Sequence, residues 1–205
     1  WHKCKVDIEV LKELSKKSDL KGLQHISVFF GLLIITGLLA YITWGTWWSV
    51  FWFLVYGNIY SFSNPLWHET GHKTAFKSKF LNEFFYYLSS FMANFEPTRW
   101  RYSHFVHHGN TYSIENPFDH EIEYGNDLKE TPKRLIINII PFLDLVFIKK
   151  HISFEIFQHA FGIKTKVMED CIPENAQAKA IFISRIYVAI WSLIVLWSIL
   201  ISSWM

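Results

Sequence analysis

Between Ile26 and Trp67 the chain has no aspartate, glutamate, lysine or arginine, a run of 42 residues. A bilayer core of about 30 Å needs roughly 20 apolar residues per helical crossing, so this run has room for two crossings and a turn. Cysteine is nearly absent. Cys4 and Cys171 are far apart and sit in no Cys-x-x-Cys or Cys/His spacing, so a disulfide framework and a zinc ribbon are both excluded, and two reduced thiols are expected. Net charge is small, +2, and no basic patch interleaved with stacking aromatics occurs outside membrane-flanking positions, which excludes nucleic acid as a partner. The opening is unlike a secretory signal, because a charged segment of about 25 residues precedes the first apolar run.

What is abundant is apolar and aromatic. Hydrophobic residues make up 51% and aromatics 19%, with ten tryptophans, and they are clustered rather than spread. The fold class expected is all-α: an integral membrane helical protein with a cytosolic histidine-rich helical cap, forming one domain over residues 1–205. Three spans are expected, at about 26–43, 46–62 and 186–205. Gly45 marks the first turn, and Trp44, Trp47 and Trp48 match an interfacial aromatic belt. Lysine and arginine flank the hairpin at its N-terminal side and again after the second span (Lys73, Lys77, Lys79, Arg99, Arg101), while its tip carries none. The positive-inside rule then puts both flanks in the cytoplasm.

Three further segments read as surface features. Val6, Ile8, Val10, Leu11 and Leu14 suggest a short amphipathic helix, either on the membrane surface or merely solvated. Phe80 to Phe95 reads as an interfacial helix. So does Arg134 to Phe147, which is interrupted by Pro141 and Asp144, after an acidic cytosolic loop at 112–133. His25, His151 and His159 have no partner in sequence; His25 reads as interfacial and the other two as surface residues.

Histidine is where the chemistry concentrates. Five of the ten histidines fall in two clusters, HETGH (His68 to His72) and WRYSHFVHHGN, with His104, His107 and His108. Residues i, i+3 and i+4 of a helix share a face, so each cluster presents its imidazoles in one direction. Neutral imidazole binds iron, zinc, copper or nickel. HETGH also satisfies H-E-x-x-H, in which two histidines hold zinc and the glutamate is a general base. A zinc protease has no use for a second, closely following H-x-x-H-H, so two metals suit the pattern better. Glu69 is then a partner that orients a ligand histidine rather than a base. Histidines without any metal remain the third reading, a non-catalytic membrane protein.

HETGHKTAF followed by WRYSHFVHHGNT resembles the first two histidine boxes of the membrane fatty acid desaturases. LNEFFYYLSSFM, EPTRWR and CIPENAQAKAIFISRIYV resemble bacterial members, so the resemblance covers essentially the whole chain. It implies a non-haem di-iron oxidoreductase that uses O₂ to introduce a double bond into an acyl chain, with His68, His72, His104, His107 and His108 among the iron ligands. It further implies an acyl-lipid substrate and an electron donor such as a ferredoxin or cytochrome. A hydroxylase or ketolase of the same superfamily is the near alternative, and a membrane zinc metalloprotease the distant one. The family's third H-x-x-H-H box is missing: His120, His151 and His159 do not have its spacing. The chain is therefore expected to be an N-terminal piece, inactive alone, with another span and the third box following Met205.

Overall fold

The computed structural model describes residues 7–110, 119–121 and 152–201. Every regular element among them is an α-helix: α1 (Ile8–Leu14), α2 (Asp19–Ile42), α3 (Trp47–Tyr60), α4 (Ser63–Gly71), α5 (Lys79–Met92), α6 (Pro97–Asn110), α7 (Ile152–Ala160), α8 (Lys166–Cys171) and α9 (Glu174–Leu200). Two compact units divide the chain, Trp1–Ala93 and Asn94–Met205.

Two helices, α2 and α9, are long and apolar enough to cross a membrane. At 1.5 Å per residue their 24 and 27 residues reach about 36 and 40 Å. Both start before the apolar runs that announce them. Ser18 caps α2 by accepting the Lys21 amide, so the helix begins at Asp19 rather than at Ile26. Likewise α9 begins at Glu174, directly after Pro173, where a helix starts easily. The second expected span holds α3, whose 14 residues reach only about 21 Å. The expected helix at 134–147 lies outside the described residues, as do His151 and Cys4.

In the first unit, α3 packs on α2 and α4 on α5. The inner face of α4 is Ser63, Trp67 and Thr70, spaced i, i+4, i+7 and all buried. Trp67 stacks on Tyr86 of α5 at 6.3 Å between centroids, and a Cβ on Gly71 would stand 2.9 Å from the Tyr86 ring. A glycine at that point of HETGH is what lets the two helices approach so closely. One residue on from Trp67, and thus about 100° around the helix, come His68 and its i+4 partner His72.

A Schellman motif ends α4. The Thr74 amide bonds the Glu69 carbonyl and the Lys73 amide bonds the Thr70 carbonyl, both at 3.0 Å, with Lys73 left-handed at φ 59°. Three side chains hold the loop that follows. Asn82 takes the Phe76 amide and donates to the Phe76 and Ser78 carbonyls, Asp19 accepts the Ser78 amide, and the Lys17 ammonium donates to the Lys73 carbonyl. The surface of α5 is inverted relative to a soluble helix. Asn82, Ser89 and Ser90 are buried while Phe80 and Phe84 are exposed, as suits a helix whose outer face meets lipid. Ile8, Val10, Leu11 and Leu14 of α1 are exposed as well.

In the second unit, α9 packs on α7 and α6, and α8 on α6. Met168, Ile172 and Ala180 form a buried cluster with Tyr102 against it. Glu96 caps α6, its carboxylate accepting the Thr98 and Arg99 amides at 2.9 and 2.6 Å ahead of a proline at the first helical position. Burial raises the Glu96 carboxyl to about 7 against the downward pull of those amides and of Arg99. His159 is a correction. Expected at the surface, it is fully buried on α7, with Nε2 2.8 Å from the Thr165 hydroxyl. Desolvation, helped by Arg99, lowers it to about 4, so it is a neutral core residue.

Candidate metal centre

Each unit carries one histidine cluster. In the first, the His68 and His72 rings meet edge to face, with centroids 4.5 Å apart. Glu69 stands beside them without hydrogen bonding to His68: the separation to Nδ1 is 3.8 Å, beyond hydrogen-bond range. Its other oxygen accepts the Thr74 hydroxyl at 2.7 Å. A cavity of about 510 Å³ lies against the same turn, lined by Ile26, Phe29, Leu32, Phe62 and Leu66, with Glu69 on its wall.

In the second unit, His104, His107 and His108 line one face of α6, and His104 and His108 repeat the same edge-to-face geometry at 4.5 Å. Their Nε2 atoms are 3.0 Å apart. Two nitrogens bound to one metal at about 2.1 Å and roughly 90° apart would be about 3.0 Å from each other. The opposite ring nitrogens are seated on carboxylates. His104 Nδ1 lies 2.7 Å from Glu121 Oε2, and His107 Nδ1 lies 3.0 Å from Asp119 Oδ2. Metal-binding histidines are characteristically held this way, because the carboxylate fixes tautomer and ring orientation and leaves Nε2 for the ion. The donor set therefore fits a metal such as iron.

A model of the fatty acid desaturase family matches residues 42–205, a stretch that contains both clusters. The chain belongs to the fatty acid desaturase family. Comparison with curated proteins and with solved structures gives no match. For a desaturase-family chain, the H-E-x-x-H reading of HETGH as a zinc protease motif loses its basis, since it leaves the second cluster without a role. Membership makes the protein an oxidoreductase by family and implies an acyl lipid and an electron donor. Its two long apolar helices are consistent with membrane association.

Sequence reasoning placed the histidines on common helix faces but missed their supports. Asp119 and Glu121 lie 12 and 17 residues from the rings they hold. An acid-His-acid triplet after an H-x-x-H-H box was the available signal, and it reads as ordinary loop acidity until the partners are seen. Ser103 and Arg99 extend the network: Arg99 donates to Ser103 Oγ at 3.1 Å, and Ser103 donates to Glu121 at 3.1 Å. Cys171 is a free thiol that burial raises to about 11, which keeps it protonated and inert.

Proposed function

We propose that this desaturase-family protein is an O₂-dependent acyl-lipid desaturase with a di-iron centre, in which His68, His72, His104, His107 and His108 are iron ligands. The observation that carries the reading is the seating of the His104 and His107 Nδ1 atoms on carboxylates, with the Nε2 atoms of His104 and His108 3.0 Å apart, in a chain of this family. Bound iron would supply the power to activate O₂ and remove hydrogen from an unactivated methylene. The chain's own residues do the rest. Imidazoles hold the metal, Asp119 and Glu121 fix ring orientation, and the largely apolar cavity beside Glu69 offers a hydrocarbon chain an apolar surface. Glu69 itself sets the turn after His68 through Thr74.

Metal and product analysis of the intact protein tests this. About two irons per chain and an alkene product are expected; one zinc, or a hydroxylated product, overturns the desaturase reading.

The second part of the proposal is orientation, with both histidine clusters facing the cytoplasm. Lysines flank the hairpin on the side of both the N-terminal segment and the boxes. Single cysteines at Ser15 and Ser113 should be labelled from the same side, and one at Thr46 from the other. Opposite labelling of Ser15 and Ser113 would reject it.

A further inference from the structure

We propose that Asp119, His120 and Glu121 form a clamp that fixes the rings of His104 and His107, with His120 as its strut and not a metal ligand. The inference rests on the metal reading above and deepens it. The contacts of this triplet divide between two helices. Asp119 and Glu121 reach to α6, while His120 Nε2 reaches the other way, 2.8 Å from Asp170 Oδ2 on α8.

All four carboxylate oxygens of the clamp are in use. Asp119 places Oδ2 on His107 and accepts the Glu121 amide on Oδ1 at 3.0 Å; Glu121 places Oε2 on His104 and accepts Ser103 on Oε1. The Asp119 side chain is only 2% exposed. A carboxylate facing Nδ1 favours the tautomer that carries the proton there, and in a neutral ring that tautomer presents Nε2 as the acceptor. With the Nε2 atoms of His104 and His108 3.0 Å apart, either a proton or a metal ion must lie between them. His120 is set apart from these ligands by its place: it is not on α6, and its Nε2 is tied to Asp170 on α8.

Cobalt(II) titration of the intact protein, followed by its visible absorption bands, separates the roles. Glu121→Ala and Asp119→Ala should bind cobalt about 10- to 100-fold more weakly, the usual effect of losing a histidine's outer partner, with the number of ions unchanged. Glu121→Gln keeps an acceptor oxygen and the shape of the site; it should fold as wild type and bind cobalt more weakly than wild type but more tightly than Glu121→Ala, because an amide no longer dictates the tautomer. His120→Asn should also weaken binding at unchanged stoichiometry, whereas His108→Ala should lower the number of ions bound. Wild-type affinity in both Glu121 variants overturns the clamp, and a lost ion in His120→Asn makes His120 a ligand. A wild-type protein that takes up no cobalt overturns the metal reading and the clamp with it.

Discussion

Alanine at His72 or at His107 should strip iron from the intact protein and reduce product formation by at least about 100-fold, the upper end of what losing even an outer partner costs. Each change removes one imidazole from a helix face built to present it, and no neighbouring side chain can supply the missing nitrogen at the same place. The control is His25→Ala. His25 is exposed on α2 and outside both clusters, so iron content should be unchanged; the control is read on iron alone, because His25 lines the cavity assigned to the acyl chain. His159 is unsuitable as a control because it is buried in the core of α7, and its removal would unfold rather than demetallate. Iron measured against folded protein decides the outcome. If His72→Ala or His107→Ala keeps wild-type iron, the ligand assignment fails for that residue.

The second large effect is on stability. Arg99 is 5% exposed in its side chain and pairs with Glu155 at 3.1 Å, with its guanidinium carbon 4.2 Å above the Trp100 ring. Arg99→Met removes one partner from a buried ion pair and should cost about 3–5 kcal/mol. For a chain of this size that is a fall in melting temperature on the order of 10 °C. At pH 5.5 Arg99→Met combined with Glu155→Leu should recover part of the loss, since two apolar groups need no counterion, while the Arg99 bond to Ser103 stays lost. Glu96 adds a pH dependence. Its folded pKa of about 7 lies above the ordinary 4.5, so its protonated form is favoured in the fold and the stability this brings is lost as pH rises through 7. Above that pH the ionised carboxylate is held chiefly by the Arg99 and Thr98 amides, with a smaller contribution from the Arg99 charge. The penalty for Arg99→Met should therefore be larger at pH 8 than at pH 5.5. A cost under about 1 kcal/mol at both values would mean that the pair is solvated.

What could be read in advance follows from distance along the chain. The pairs His68/His72 and His104/His108 are four apart, and helical periodicity alone places them together. Charge-free runs announced α2 and α9 but not their first turns, because a cap such as Ser18 lets a helix extend into charged sequence. The clamp could not be read, since Asp170 is 50 residues from His120 and nothing local marks the pairing. Nor could the burial of His159: one imidazole among apolar neighbours looks the same in sequence whether it faces water or a threonine hydroxyl.

The inverted surface of α5 has a bearing on how the protein can change over generations. Asn82 makes three hydrogen bonds to the backbone at Phe76 and Ser78, a task no other side chain of its size and shape can perform. Ser89 and Ser90 are fully buried, so a larger group there would have to displace its neighbours. Phe80 and Phe84, by contrast, need only remain oily. Drift along this helix would therefore run freely among its greasy positions and stall at its polar ones, the reverse of the pattern by which the inside of a water-soluble protein is recognised.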